Sequence, residues 1–480
     1  MGTKVILFNP YECKAMKNNW QVDKDAFWLG CENEPKYKAL AACIEQAIRS
    51  GELKASEKLP AQRWLADELA VTHGTVTRAY DLAEKRGWVT AKLGAGTYVR
   101  DSAVPMMQET GPKLYDFASS MQPMLGQQDV LAKAMQELAQ DPVGLVDVMT
   151  YAHQGLLKHK QLFSKWLGTK GIQVRPEGII FTQGAQQGIF TCLQILCEQG
   201  DAVMHEALAY PGFFKAAKAN KVKTLALDLT EEGVDLAQLE TYCQAHNPKL
   251  LYLTANIQNP TNIQYTKAQR EQIIQLSKRY DFYIVEDDVN YVLPENWCAP
   301  LQQMANDRVF YLSSLSKYVA GGLRLAYALV PEIWQAKFNQ SLHSQCWMNA
   351  SMGVEIASRF ILTSAFSQNQ NRLAQEMRYR QAAMRKRLEN LGFSPRSGGL
   401  NIWLPLPLNI NMHALSSALL QQNIKVRTAD LFTDQDQLQL VKNGLRISLG
   451  GFDSRQDFDQ GLEVLEQAIL TFKQVQDVVI

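Results

Sequence analysis

The sequence lacks paired cysteines, long apolar runs and an excess of charge of either sign. Its eight cysteines form no C-x-x-C pair, which disfavours a zinc site and fits reduced thiols. No stretch approaches the ~20 apolar residues of a membrane helix, and the apolar run at 5–8 is too short for a signal peptide. We therefore expect a cytoplasmic protein without a metal site. The net charge of +1 excludes a wholly basic nucleic-acid coat, but not a small DNA-binding domain.

Length and composition predict a globular protein of two or three domains. With 480 residues, 46% of them hydrophobic and 20% charged, the chain needs no disulfide or metal to support a core. Residues 1–31 show no clear periodicity and suggest no role. Residues 101–114 contain Pro, Gly and Ser and are typical of a linker. The predicted domains are therefore 32–100 and 115–480.

Residues 32–100 begin with two predicted helices. A helical pattern starts at Lys36 and ends before Gly51. A second, shorter helix is expected to open at Leu59–Pro60, because proline costs little at a helix start. The expected apolar face of this second helix consists of Trp64, Leu65 and Leu69.

A third helix and a hairpin complete this domain. Thr72 is a suitable N-cap, and Gly87 ends the helix. Two β-runs, 88–92 and 97–100, flank a glycine turn. This order is typical of a winged helix-turn-helix, which serves either DNA binding or protein interaction. For DNA binding, the candidate contact residues are Arg63, Thr72, His73, Thr75, Thr77, Arg78 and Gly94.

The second domain alternates apolar runs with amphipathic helical stretches. This alternation predicts an α/β layer with a mainly parallel sheet. The expected buried strands are Gly178–Thr182, Leu250–Thr254, Phe282–Val285 and Val309–Leu312.

Two of these strands lead into motifs that suit a phosphate and a reactive amine. Small residues from Gly184 onward follow the first strand and open a helix, whose N-terminal N–H groups can bind phosphate. Ser314-Leu315-Ser316-Lys317 follows the last strand, and Arg324 comes seven residues after the lysine. A lysine directly after an apolar strand, with hydroxyls and an arginine nearby, is a Schiff-base candidate.

Four more side chains suit a heterocycle and a carboxylate. Tyr210 can stack on a ring, Asn259 can donate to a phenolate oxygen, and Asp287 can pair with a protonated pyridine nitrogen. Arg446 lies in a predicted strand and can clamp a carboxylate. Each residue alone also suits an ordinary turn, loop or surface position, so the set in this order carries the prediction.

Taken together, the motifs resemble two known families. Residues 115–480 resemble fold type I aminotransferases, the class I pyridoxal-phosphate (PLP) enzymes. Residues 36–100 resemble the GntR-type winged helix-turn-helix, in the run LPAQRWLADELAVTHGTVTRAY and the wing KLGAGTYV. Both modules in this order resemble the MocR subgroup of GntR regulators. The resemblance implies an α/β domain, with helices on both faces of a mainly parallel sheet and a small C-terminal α+β part.

The resemblance also implies a PLP site and a dimer. Lys317 would form the internal aldimine with PLP, and Arg446 would take the α-carboxylate of an effector. Tyr151 would reach the phosphate of the partner subunit, which implies a homodimer with the cofactor at the interface. Dimers of the family are head-to-tail, so the resemblance implies this arrangement too. The other implied cofactor contacts are Gly184, Ala185, Ser314 and Arg324 at the phosphate, Tyr210 on the ring, Asn259 at the ring hydroxyl and Asp287 at the ring nitrogen.

Two departures from the family pattern stand out. The family usually has a tyrosine two or three positions after Asp287, bonded to the ring oxygen, and this chain has Val289 and Asn290 there. Tyr291 reaches the ring, Asn290 substitutes, or the bond is missing. The second departure is His73, which stands where the GntR pattern has arginine. Histidine is mostly neutral at pH 7, so we expect altered operator preference.

The leading functional hypothesis is a PLP-dependent transcriptional regulator. It would bind an operator with two half-sites and respond to an amino acid, an amine or PLP itself through Lys317. A working aminotransferase with an attached DNA-binding domain is the alternative. A third possibility is a pocket that has kept the fold and lost the cofactor. The intact residues at positions 259, 287, 317 and 324 argue against this third possibility.

Overall fold

The computed structural model divides the chain into two compact units, Met1–Gly111 and Pro112–Ile480. It describes residues 20, 22–32, 34–50, 52–54, 56–92, 96–99, 113–434 and 442–479. The expected linker at 101–114 lies almost entirely outside the described residues, as does Gly94.

The first unit is a helical domain that ends in a β-hairpin. Asp23 caps its first helix with bonds from the N–H groups of Asp25 and Ala26, and Thr72 caps its fourth with a bond from the N–H of Thr75. The predicted winged helix-turn-helix pattern is therefore present. Its elements are α1 (Lys24–Gly30), α2 (Lys36–Arg49), α3 (Gln62–Glu68), α4 (His73–Lys85), β1 (Val89–Lys92) and β2 (Gly96–Val99), with the two strands antiparallel.

Part of the segment 1–31, for which the sequence suggested no role, belongs to the core of this unit. Phe27 of α1 is completely buried, and Trp20 is 4% exposed. Both pack in one cluster with Leu40 and Val76. Residues 1–19 lie outside the described part of the chain. The core of the first unit therefore begins upstream of the boundary predicted at residue 32.

Two expectations for the second predicted helix are wrong. The helix starts at Gln62 and not at Leu59–Pro60, because the backbone N–H of Leu59 donates to the carbonyl of Thr97 at 2.8 Å and keeps this segment extended. Trp64 was expected on the apolar face, but its side chain is 49% exposed.

The second unit is built on a seven-stranded sheet in the order β4-β12-β11-β10-β9-β5-β6. β12 runs antiparallel to both of its neighbours, and the other neighbouring pairs are parallel. The mainly parallel sheet predicted from the sequence is thus confirmed. Its strands are β4 (Ile179–Thr182), β5 (Ala202–Glu206), β6 (Lys223–Leu227), β9 (Leu250–Leu253), β10 (Tyr283–Asp287), β11 (Val309–Ser314) and β12 (Ala326–Leu329).

Helices and shorter strands surround this sheet. The helices before the C-terminal part are α5 (Gln127–Ala139), α6 (Pro142–Met149), α7 (Leu157–Thr169), α8 (Ala185–Leu196), α9 (Pro211–Ala219), α10 (Leu236–His246), α11 (Lys267–Arg279), α12 (Leu301–Met304), α13 (Gln335–Cys346) and α14 (Ser351–Phe360). The pair β7 (Leu229–Thr230) and β8 (Gly233–Val234) forms a small hairpin.

The C-terminal part has its own sheet, in the order β13-β14-β17-β16. β3 (Tyr115–Asp116) pairs with β15, so the start of this unit is attached to its end. The remaining elements are α15 (Ser364–Asn390), β13 (Arg396–Gly398), β14 (Asn401–Pro405), α16 (Met412–Gln421), β15 (Ile424–Lys425), β16 (Arg427–Thr428), β17 (Gly444–Ser448) and α17 (Arg455–Val479).

Candidate functional site

The predicted cofactor residues follow the carboxyl ends of the parallel strands. Gly184 comes after β4, Asp287 ends β10, and Lys317 comes three residues after β11. Tyr210 and Asn259 lie in the segments that follow β5 and β9. These five strands run in one direction, so their carboxyl ends meet at one edge of the sheet, where open α/β sheets bind ligands.

A guanidinium lies against the turn that leads into α8. Gly184 has φ +81°, and a Cβ there would come 2.2 Å from Nη2 of Arg324. Only glycine leaves room for this close approach. Ala185 then starts α8, whose first N–H groups are unpaired by helix geometry. The combination of a cation, a glycine cradle and a helix N-terminus suits a phosphate.

Lys317 is a half-buried amine next to a hydroxyl-rich turn. Its Nζ donates to the backbone carbonyl of Ser120, and the hydroxyl of Ser314 accepts from the N–H of Ser316 at 3.1 Å. Burial, followed by the charge of Arg446, lowers the pKa of Lys317 to about 8. A lowered pKa leaves more of the amine neutral and nucleophilic near neutral pH.

Asp287 has a bonding partner that the sequence analysis missed. The hydroxyl of Tyr252 donates to Oδ2 of Asp287 at 2.6 Å, and the N–H of Val289 donates to Oδ1 at 3.2 Å. Burial raises the pKa of Asp287 to about 6, and the Tyr252 bond opposes this rise. A tyrosine within the otherwise aliphatic strand LLYL was the available signal, because a buried hydroxyl requires a partner.

Arg446 and Asn259 are in contact. Nη1 of Arg446 donates to Oδ1 of Asn259 at 3.2 Å, and Nη2 donates to the carbonyl of Ala118 at 2.9 Å. The guanidinium also lies 4.8 Å from the ring centroid of Phe432. The bond to Arg446 leaves the amide nitrogen of Asn259 available as a donor.

The charges of Arg446 and Lys317 lack a protein counter-ion within the described residues. No carboxylate of that part of the chain lies within ion-pair distance of either group. Arg446 is only 8% exposed, and its Nε has no hydrogen-bond partner among the same residues. A buried cation that contacts only neutral acceptors is costly, and an anionic ligand would compensate it.

Tyr210 lies near both the carboxylate and the phosphate cradle. Burial, followed by the charge of Asp287, raises the pKa of Tyr210, and Arg324 lowers it. The hydroxyl therefore lies within electrostatic range of both groups. Its side chain is 37% exposed, which leaves part of the ring open to a ligand.

Asn290 and Tyr291, the two candidates to replace the ring-oxygen tyrosine, both contact other groups of the protein. Nδ2 of Asn290 donates to the carbonyl of Ile257 at 3.0 Å. Tyr291 is 3% exposed and packs 5.4 Å from the ring of Tyr318, within the C-terminal core cluster. Both side chains are therefore engaged in protein contacts.

Tyr151 lies on an exposed apolar surface of the second unit. It is 75% exposed, and Met149, at the end of α6, is 83% exposed. Val143 and Val146, which share a face of α6 at helical spacing, are 68% and 60% exposed. We name these four residues the α6 surface. Apolar patches of this kind mark interaction sites.

The candidate DNA contacts differ in how free their side chains are. Arg63, His73 and Arg78 are exposed. The Thr72 hydroxyl accepts the N-cap bond from the N–H of Thr75 at 3.3 Å. Thr77 Oγ1 lies 2.9 Å from Oε1 of Gln62 and 3.1 Å from the His73 carbonyl, so a protein bond already uses its proton. Gly94 lies outside the described residues.

Membrane-spanning helices and metal clusters are both absent from the described residues. Among them, no helix is long and apolar enough to cross a membrane. The same part of the chain contains no cluster of three or more His, Cys, Asp or Glu side chains placed to hold a metal.

Comparison with known proteins identifies both units. A model of the family "Aminotransferase class I and II" matches residues 113–464, and one of "Bacterial regulatory proteins, gntR family" matches residues 36–99. The crystal structure of LysN, an alpha-aminoadipate aminotransferase from Thermus thermophilus, is similar in fold. Its TM-score is 0.68 at 23% identity, covering 76% of this chain and 94% of that one.

Two curated relatives span most of the chain. The uncharacterized HTH-type transcriptional regulator YdeF of Bacillus subtilis is 26% identical over 448 residues, covering 91% of this chain and 95% of that protein. The 2-aminoadipate transaminase of Thermus thermophilus is 27% identical over 376 residues, covering 75% and 90%. The chain belongs to the class I and II aminotransferase family, and with its N-terminal gntR-family domain it is a GntR-family transcriptional regulator of MocR-type architecture.

Proposed function

We propose that this regulator binds PLP at Lys317 and uses the bound cofactor to sense an amino acid or an amine, changing its affinity for operator DNA. PLP as the sole effector is an allowed variant. The observation that carries the proposal is Arg446, a buried guanidinium without a carboxylate partner among the described residues, whose charge helps to lower the pKa of Lys317. Arg446 suits the carboxylate of an amino acid, and Lys317 suits the aldehyde of PLP, with which the amine of the same ligand can also react.

The described residues fit the chemical groups of PLP. Gly184, Ala185 and Arg324 form the cradle for its phosphate, with the Ser314 hydroxyl as a further candidate contact. The carboxylate of Asp287 suits the protonated ring nitrogen, and the free amide nitrogen of Asn259 suits the ring hydroxyl. When bound, PLP supplies an aldehyde that reacts reversibly with amines. Lys317 would orient the cofactor, and Arg446 would hold the carboxylate of the effector nearby.

The α6 surface supports a homodimer as part of the proposal. Its exposed side chains are too apolar to be left in water without cost. A homodimer with the cofactor at its interface would let Tyr151 reach the phosphate of the partner subunit. Sedimentation of the wild type and of Val146→Asp tests this. We expect a dimer for the wild type and a monomer for the variant; a monomeric wild type contradicts the dimer.

DNA binding would use α4 of each subunit on one half-site. Two half-sites require a fixed spacing between the two reading helices. An effector changes operator affinity only if it binds differently to two states of the dimer. The sign of that change decides whether the ligand favours or disfavours the DNA-bound state.

The main experiment combines absorbance with DNA binding. Purified protein is loaded with PLP, and a panel of amino acids and amines is titrated while the visible band is recorded. The same ligands are then added to a fluorescence-anisotropy assay on duplexes selected from a random library. A ligand that shifts both readouts supports the sensor. The absence of any visible band with PLP contradicts the PLP site.

The second candidate function is an aminotransferase with an attached DNA-binding domain. Lys317, Asp287 and Arg446 are the groups that transamination requires, and one curated relative is a transaminase. Sustained turnover that depends on an added keto acid would favour this enzyme. A spectral shift without turnover would favour the sensor.

A further inference from the structure

We propose that Tyr252 is a positioning residue that keeps the Asp287 carboxylate oriented toward the cofactor's ring nitrogen. This inference rests on the proposed function, because it assumes that Asp287 faces bound PLP. Tyr252 lies on β9, 35 residues before Asp287, and belongs to none of the motifs that carry the family resemblance.

Sheet register brings the two side chains together. β9 and β10 are parallel neighbours, and Tyr252 lies opposite Val285. Asp287 is two residues after Val285, so it projects from the same face of the sheet as Tyr252. The tyrosine side chain spans this diagonal, and its hydroxyl donates to Oδ2 at 2.6 Å.

Packing fixes the tyrosine ring. Tyr252 is completely buried, and the ring of Phe213 stacks on it with centroids 4.3 Å apart and planes 14° apart. Phe213 lies on α9, just after Tyr210, which is the candidate to stack on the cofactor ring. The hydroxyl therefore cannot leave the carboxylate without breaking the packing beneath the candidate site.

The hydrogen bond also favours the charged form of the carboxylate. Burial and the neighbouring Asp288 raise the pKa of Asp287, whereas the Tyr252 hydroxyl and the N–H of Val289 lower it. The other ionisable groups close to this pair are Glu206 and Tyr210. Loss of the hydroxyl raises the pKa of Asp287 further, and a neutral acid cannot pair with a protonated ring nitrogen.

The test compares two tyrosine hydroxyls that differ mainly in their acceptor. Tyr252→Phe removes the donor to Asp287 and keeps the ring. Tyr265→Phe is the matched control, because Tyr265 is also buried and donates to a different carboxylate, Oε1 of Glu206, at 2.7 Å. The readout is the dissociation constant for PLP, measured from absorbance as a function of pH.

We expect wild-type affinity for PLP to fall on the acid side as Asp287 becomes protonated. In Tyr252→Phe the midpoint of this fall should move upward by about one pH unit from the wild-type value of about 6. Binding should then be about twofold weaker at neutral pH and roughly tenfold weaker on the acid side of both midpoints. In Tyr265→Phe the midpoint should stay where it is in the wild type. An unchanged midpoint in Tyr252→Phe, or an equal shift in both variants, overturns the proposal.

Two further variants keep the test decisive. If Tyr252→Phe fails to fold, Phe213→Leu loosens the same ring and should shift the midpoint in the same direction by less; no shift there overturns the proposal. In an Asp287→Asn background, Tyr252→Phe should cause no further change. If the wild type binds no PLP at all, the proposed function itself fails, which is a separate result.

Discussion

Arg446 and Asn259 lie 187 positions apart in the sequence, and their side chains are 3.2 Å apart in the folded protein. Arg446 comes from β17 of the C-terminal sheet, and Asn259 follows β9 of the large sheet. The side chain proposed to hold an effector carboxylate therefore touches the one proposed to hold the ring hydroxyl of PLP. At this pair, a proposed ligand contact from the C-terminal sheet meets one from the large sheet.

Replacement of Arg446 should uncouple effector binding from cofactor binding. Arg446→Met keeps an unbranched side chain and removes the charge. We expect the spectral response to amino acids to weaken by at least about tenfold, because a charge-assisted bond is lost, while PLP stays bound. Arg427→Met is the control, since Arg427 lies opposite Arg446 in the register and is exposed. Loss of PLP from Arg446→Met would show that the arginine serves the cofactor.

The reaction of Lys317 with PLP should depend on pH with a midpoint near its lowered pKa of about 8. The amine must lose its proton before it can react, so the rate should rise with pH through this midpoint and then level off. Arg446→Met removes a positive charge that lowers this pKa, so the midpoint should move upward. Stopped-flow absorbance after mixing with PLP, recorded across the pH range, measures the midpoint in the wild type and in Arg446→Met. A rate that keeps rising with pH up to the ordinary lysine range contradicts the lowered pKa.

Lys317→Ala should abolish the visible band that develops with PLP and leave the oligomeric state unchanged. The reason is that only a covalently attached cofactor gives this band, whereas Lys317 is half-buried and is not one of the four residues of the α6 surface. Lys267→Ala is the control, because that side chain is 85% exposed on α11. A band that persists in Lys317→Ala would place the reactive amine elsewhere.

Arg78→Ala should weaken DNA binding without altering the absorbance spectrum. The side chain is exposed on α4 and carries a charge suited to a phosphate or a guanine edge. We expect a loss of about 1–3 kcal/mol, measured by anisotropy on selected duplexes at fixed salt. His73→Arg, tested in parallel, should change the preferred bases by restoring a charged donor. Unchanged affinity in Arg78→Ala would remove this helix from the DNA interface.

Gly74 should reveal a conflict between stability and DNA binding. It lies in the first turn of α4, is exposed, and a Cβ there would meet no atom within 4 Å. Gly74→Ala should therefore stabilise the helix by some tenths of a kcal/mol, up to about 1 kcal/mol. If DNA approaches the backbone closely at this point, the same change should weaken operator binding. Thermal unfolding and anisotropy measure the two effects.

Gly168→Ala is the matched control for this prediction. Gly168 lies within α7 of the second unit, and a Cβ there also meets nothing within 4 Å. The substitution should add helix stability and leave DNA affinity unchanged. Equal DNA affinity in Gly74→Ala and the wild type would show that the glycine is not required for close approach.

Much of the fold was predictable because its signals are local. The helix from Lys36, the Thr72 cap and the buried strands all follow from neighbouring residues and their periodicity. Segment 1–31 was different. Asp23 was a usable cap signal, but a seven-residue helix carries too few apolar positions to show a period. The prediction for Trp64 was wrong for a different reason. An aromatic residue in a helical pattern does not reveal which face of the helix packs against the rest of the domain.

The sequence by itself determined the two-unit organisation and the residue types of the candidate cofactor site, since those residues lie in short motifs after strands. Only the tertiary structure decided how they are supported. Tyr252 reaches Asp287 because of strand register, and Asn290 and Tyr291 are committed to protein contacts by packing. Register and packing arise from contacts between distant segments, and a local pattern does not contain that information.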